Sequence, residues 1–135
     1  MRQYNFEKYH ALENDFLVIE SESGRPRRDS MAKLALAICD RRSGVGADGI
    51  IVLSPSATSD RAIDIYNADG SWAEKSGNGL RIAAAHLFCK SRSKKKQFVF
   101  QIANSIDKVS IGRATKTEFM ATAEIGKPEF DTKLI

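Results

Sequence analysis

Asn67-Ala-Asp-Gly-Ser-Trp-Ala-Glu-Lys-Ser-Gly-Asn-Gly-Leu-Arg81 packs a polar turn, a Gly-Asn-Gly loop and a helix start into one short stretch. The apolar run that follows puts Leu80, Ala83, Ala84, Leu87 and Phe88 in helical register, which predicts a helix from about Gly79 to Lys90. Ile82 and Ala85 add apolar surface off that stripe, so the helix is expected to be buried on nearly every side. Such a helix needs a sheet curled around it, and this decides the fold. Gly77 and Gly79 let the backbone approach a ligand closely, and the first N–H groups of the helix have no partner within it. That end attracts anions. Ser76, just ahead of the glycines, sets a hydroxyl at the same point.

Outward from this stretch, Tyr4 to His10 and Phe16 to Glu20 read as two strands joined by a turn over Ala11 to Asp15, a hairpin. A polar loop, Ser21 to Asp29, leads to a first helix. Asp29 or Ser30 can cap it, and Met31, Leu34, Ala35 and Ile38 share one of its faces. Ile50 to Leu53 and Arg61 to Asn67 read as strands separated by a Ser-Pro-Ser loop. After the second helix come Gln97 to Ala103, Lys108 to Arg113 and Glu118 to Ile125, with turns at Asn104-Ser105 and Thr115-Lys116. The order β-β-α-β-β-α-β-β-β favours hairpins over regular βαβ winding. The expected class is α+β: a mixed, largely antiparallel sheet curled around a central helix. One domain over residues 1–126 is expected, followed by a linker or tail over 127–135.

Composition narrows the function. With 42% hydrophobic and 28% charged residues among 135, the chain has the profile of a soluble globular domain. No apolar run approaches a membrane span, and Met1 to Lys8 mixes charge with aromatics where a signal peptide has an apolar core. A cytoplasmic, reducing compartment is therefore expected. Cys39 and Cys89 fall in apolar helical patterns and read as buried thiols; two widely spaced cysteines make no metal motif. His86 lies within the second helix and reads as a satisfied core or boundary histidine. Much of the +4 net charge sits between Lys90 and Lys96, ahead of Phe98 and Phe100 and not interleaved with them. That is the pattern of a solvated loop and argues against nucleic-acid binding.

Gly44-Val-Gly46-Ala-Asp-Gly49 has the spacing of a dinucleotide fingerprint, yet it follows a helix and leads into a strand. A pyrophosphate-binding loop must leave a strand and open a helix, so nicotinamide or flavin binding is rejected and the glycines read as a tight loop. Asn14, Asn67 and Asn78 each lie in a turn or loop. Singly, each reads as turn chemistry. Together at one sheet edge, three amides could donate and accept to the carboxylate and ammonium of an amino acid.

The stretches His10-Ala-Leu-Glu-Asn-Asp-Phe16, Cys39-Asp-Arg-Arg-Ser-Gly-Val-Gly-Ala-Asp-Gly49, Tyr66-Asn-Ala-Asp-Gly-Ser71 and Ser76-Gly-Asn-Gly-Leu-Arg81 resemble, in order and spacing, the diaminopimelate epimerase family. Ile125-Gly-Lys-Pro-Glu-Phe130 resembles that family's passage between domains, so the resemblance covers the N-terminal half of the enzyme. It implies an isomerase of lysine biosynthesis with no metal or organic cofactor, built of two pseudo-symmetric domains, each a curved sheet around a central helix. Substrate lies in the cleft between them. One cysteine from each half faces the α-carbon; one removes its proton as thiolate, and the other returns a proton from the opposite side. Asn14, Asn67, Gly77 and Asn78 match the substrate-contacting positions of the first half, and the helix opened by Gly77 to Gly79 would hold the α-carboxylate.

Three departures bear on activity. Ser76 stands at the family's first catalytic cysteine; a thiol titrates near about 8.5, whereas an alcohol needs a base beside it to ionise. Neither His10 nor His86 is obviously placed to be that base. The second half, with the other cysteine, lies outside the resemblance. Glu13 replaces a glycine and could repel a carboxylate, and Lys75 replaces an apolar neighbour of the cysteine and could offset it. Two expectations follow. One is an epimerase or racemase half-domain, inactive alone, that takes a diaminopimelate-like amino acid and pairs with a second half. The other is a non-catalytic amino-acid-binding or self-associating protein, such as a homodimer, that keeps the fold. Isomerisation by two Ser76 hydroxyls in a homodimer is disfavoured by the pKa of an alcohol.

Overall fold

The computed structural model describes residues 4–74, 76–92, 94–115 and 118–124. Along them run β1 (Phe6–Ala11), β2 (Asn14–Glu20), α1 (Arg28–Ile38), β3 (Gly49–Ser54), β4 (Arg61–Asn67), β5 (Trp72–Ala73), α2 (Gly77–Lys90), β6 (Gln97–Ile102), β7 (Ser105–Ala114) and β8 (Phe119–Glu124). The strands form a single mixed sheet in the order β1-β2-β3-β4-β6-β7-β8, with β5 paired to β4. β2 with β3 and β4 with β6 are parallel; the other neighbours are antiparallel. Each parallel step needs a long crossover, and α1 and α2 supply the two of them. The class is α+β, as the order of elements predicts.

β2, β3 and β4 are covered on both faces, which is why Phe16–Ile19 and Ile50–Leu53 read as unbroken apolar runs. Their side chains alternate. Phe16, Val18, Ile51, Leu53, Ile63 and Ile65 join the core around α2, while Leu17, Ile19, Ile50, Val52 and Tyr66 pack with Met31, Ala35 and Cys39 on the α1 side. α2 touches β1, β2, β3, β6, β7 and β8. A straight helix reaches strands at both ends of the sheet order only if the sheet curls. Burial on α2 follows: Leu80, Ala83, Ala84, Leu87 and Phe88 are buried, and so are Ile82, Ala85 and His86 off the stripe. His86 is satisfied as expected, its Nδ1 lying 3.0 Å from the Tyr9 hydroxyl and its Nε2 3.1 Å from Glu20 Oε2.

Several local expectations change. β1 and β2 pair as far as Ala11 with Asn14, so the turn shrinks to Leu12-Glu13, and Leu12 takes the left-handed conformation at φ 55°. Neither Asp29 nor Ser30 caps α1. Arg27 is the N-cap, its carbonyl accepting from Met31 N at 3.0 Å, and Asp29, in the first turn, accepts from Ser30 N. β5 was not anticipated, because two residues are too few to show a period. Cys39 is buried, its thiol pushed up to about 11 by loss of solvent. Cys89 is exposed, since the last turn of α2 runs beyond the core. Lys75, Ile125 and the proposed tail over 127–135 lie outside the described residues.

Candidate active site

β2 and β3 run parallel with Phe16 opposite Gly49, and β4 runs back with Asn67 opposite the same Gly49. The start of β2, the start of β3 and the end of β4 therefore share one edge of the sheet, with Asn14 opening β2 and Asn67 closing β4. Gly49 makes this crossing possible, since a Cβ there would lie 2.5 Å from the Tyr66 carbonyl oxygen and 3.0 Å from the Phe16 ring. α2 starts against the same edge. A Cβ on Gly79 would come within 2.7 Å of Ile65 Cδ1, so the missing side chain lets the first turn of the helix sit on β4.

Ser76 is the N-cap of α2. Its Oγ accepts from Gly79 N at 3.0 Å and its carbonyl from Leu80 N at 3.0 Å. The N–H groups of Gly77 and Asn78 make no hydrogen bond among the described residues. Beside them, Asn78 Nδ2 donates to Asn14 Oδ1 at 2.9 Å, joining residues far apart in the chain. Asn14 Nδ2 donates to Asp48 Oδ2 at 3.4 Å, and Asn78 Oδ1 accepts from Arg81 Nη1 at 3.3 Å. Asn67 is on this edge but not in this chain of amides. Its Nδ2 donates to Ser71 Oγ at 3.0 Å within its own turn, and the turn meets the rest through the backbone, Ala68 N donating to the Asp48 carbonyl at 2.8 Å.

A charged cluster underlies the amides. Asp15 and Asp48 exchange bonds, Asp15 N donating to Asp48 Oδ2 at 3.0 Å and Asp48 N to Asp15 Oδ1 at 2.9 Å. Arg41 grips Asp15 with both terminal nitrogens, at 2.9 and 3.2 Å, and reaches Asp48 Oδ1 at 3.3 Å. Lys8 lies 3.4 Å from Asp15 and donates to the Gly46 carbonyl at 2.8 Å. The Arg41 guanidinium, with further help from Asp48 N–H and Lys8, holds the Asp15 carboxyl far below the usual carboxylate range despite its burial. The glycine loop between α1 and β3 carries Asp48 to Asn14.

His10 is exposed on β1, and His86 is engaged with Tyr9 and Glu20, so neither imidazole is bonded to Ser76. Among the described residues no group of three or more His, Cys, Asp or Glu could hold a metal ion, and no helix is long and apolar enough to cross a membrane. A separate cavity of about 480 Å³ is lined by Arg25, Arg28, Trp72 and Glu74. Its guanidiniums have internal partners, Arg25 on the buried Asp64 at 2.6 and 2.8 Å and Arg28 over the Trp72 ring at 3.9 Å. Sequence reasoning named the amides and missed Asp15, Arg41, Asp48 and Arg81. The available signal was that each is a charged residue inside a quoted motif.

The family model for diaminopimelate epimerase matches residues 6–130. The chain belongs to that family. Over 102 residues it is 44% identical to the diaminopimelate epimerase of Caldanaerobacter subterraneus subsp. tengcongensis, covering 75% of this chain and 36% of that protein. Over 128 residues it is 41% identical to diaminopimelate epimerase 2 of Nostoc sp., covering 93% of this chain and 42% of that protein. The chain thus spans less than half the length of these family members. In fold it is similar to a PhzF-family phenazine biosynthesis protein of Bacillus anthracis, with a TM-score of 0.60 over 87% of this chain and 38% of the other at 14% identity. A PhzF-family protein of Enterococcus faecalis gives the same TM-score over 79% of this chain. A diaminopimelate epimerase family member therefore shares its architecture with solved PhzF-family proteins.

Proposed function

We propose that this span is one half of a cofactor-independent amino-acid epimerase of the diaminopimelate type, acting in lysine biosynthesis, with its curved sheet wrapped around α2 as a central helix. One observation carries the reading: the Asn14–Asn78 hydrogen bond at 2.9 Å lies beside the start of α2, where the Gly77 and Asn78 amides are unpartnered among the described residues. An α-carboxylate placed there would meet backbone donors, the positive end of the helix and side-chain amides together. Asn67, on the same edge, would take a more distant polar group of the amino acid.

The acid–base group is Ser76. At the N-cap a cysteine would have its thiolate favoured by the helix end, whereas the serine hydroxyl accepts from Gly79 N and has no imidazole bonded to it. Alone, this half holds and does not invert. Inversion needs a second half bearing a cysteine on the opposite side of the α-carbon, and the exposed Leu12 and Val45, beside Asn14 and Asp48, offer apolar surface for it to cover.

The test mixes the chain with the C-terminal half of the Nostoc relative and follows deuterium incorporation at the α-carbon of diaminopimelate. Little exchange is expected with Ser76 and clearly faster exchange with Ser76→Cys. No exchange from the Ser76→Cys pair, both halves being folded and associated, rejects the reading.

A further inference from the structure

The hydrogen bonds across the site run in one direction. A carboxylate only accepts and a guanidinium only donates, while a side-chain amide does both and can be turned either way. Asn14 and Asn78 lie between one of each, with Asp48 at 3.4 Å from Asn14, the amides 2.9 Å apart, and Arg81 at 3.3 Å from Asn78. A single arrangement makes all three bonds: Asn14 turns its NH2 to Asp48 and its oxygen to Asn78, and Asn78 turns its NH2 to Asn14 and its oxygen to Arg81. Both ends are anchored. Asp48 is held by Asp15 N and Arg41, and Arg81 Nε donates to the Ala121 carbonyl on β8 at 3.1 Å.

We propose that Asp48 and Arg81 are positioning residues that lock the orientation of the Asn14 and Asn78 amides. Each amide keeps a second N–H with no partner among the described residues, available to a ligand carboxylate beside the Gly77 and Asn78 backbone donors. Flipped amides would present oxygens to the carboxylate and repel it. The proposal rests on reading this edge as a carboxylate site, and it adds what sets the polarity of that site: the charges of Asp48 and Arg81, at opposite ends of a relay through Asn14 and Asn78.

The test follows the side-chain NH2 resonances of Asn14 and Asn78 in the labelled full chain, alone and titrated with diaminopimelate. Asp48→Asn, which can donate as well as accept, is expected to shift or double the Asn78 signals although residue 48 does not touch Asn78. Arg81→Met is expected to do the same to Asn14 from the other end. Each is expected to weaken binding about tenfold. Arg81→Lys, still donor-only, is expected to restore both signals and most of the affinity. If the remote amide signals stay unchanged in Asp48→Asn and Arg81→Met while the backbone spectrum shows both folded, the relay is overturned. Should Asp48→Asn unfold the chain, the Asn14 signal in Arg81→Met decides alone. Remote coupling in a chain that does not bind diaminopimelate keeps the relay and removes the carboxylate reading; binding without coupling does the reverse.

Discussion

At the residue scale, Asp15 concentrates the electrostatics of the site. It is 6% exposed, accepts from the Asp48 amide and is gripped by Arg41, which depresses its pKa. A carboxyl whose folded pKa lies below its unfolded value of about 3.9 adds stability that is fully present above that value and is lost as pH falls towards the folded one. The urea midpoint of the native chain is therefore expected to drop between about pH 5 and the acid limit of folding. Asp15→Asn is expected to be less stable at neutral pH and to show a shallower acid loss. Equal acid sensitivity in the two chains would assign the loss to other carboxyls. The sequence put Asp15 beside Asn14 but gave no sign of this role, because its partners Arg41 and Asp48 come from a loop beyond α1.

At the element scale, Ser76 is the N-cap of α2, at the position we propose for the family's cysteine. The cap is worth about 1 kcal/mol of stability, and glycine costs only a few tenths. Ser76→Ala is expected to lower the unfolding free energy by about that amount and Ser76→Gly by clearly less. The two unfolding curves, taken together, separate capping from any role of the hydroxyl in ligand contact. α2 was largely legible from residue spacing, since its apolar positions outnumber one face. The start of α1 was not, because Asp29 and Ser30 have the right chemistry for a cap but lie inside a helix that Arg27 already opens. β5 exists only because β4 offers it an edge at Ile65 and Tyr66.

At the scale of the whole molecule, the edge that carries the amides also carries exposed apolar side chains. Leu12 is 88% exposed and strained at φ 55°, a conformation that asparagine tolerates better than leucine. Leu12→Asn is therefore expected to leave the isolated chain as stable as before or more so, while weakening its association with a C-terminal half of the family. Sedimentation of the mixed halves beside thermal unfolding of each chain checks both signs; an unchanged association would place the partner surface elsewhere. The sequence by itself determined the class, the two helices, most strands, the family and the identity of the amides, because these are written in short-range spacing and in ordered motifs. It could not place residue 14 against residue 78, leave Asn67 to its own turn, or bring Asp48 and Arg81 to either end of the amide pair. Those contacts depend on which strand starts and ends share an edge of the sheet. Chain-distant hydrogen bonds leave no periodic trace in a sequence, and only the curling of the sheet onto α2 decided them.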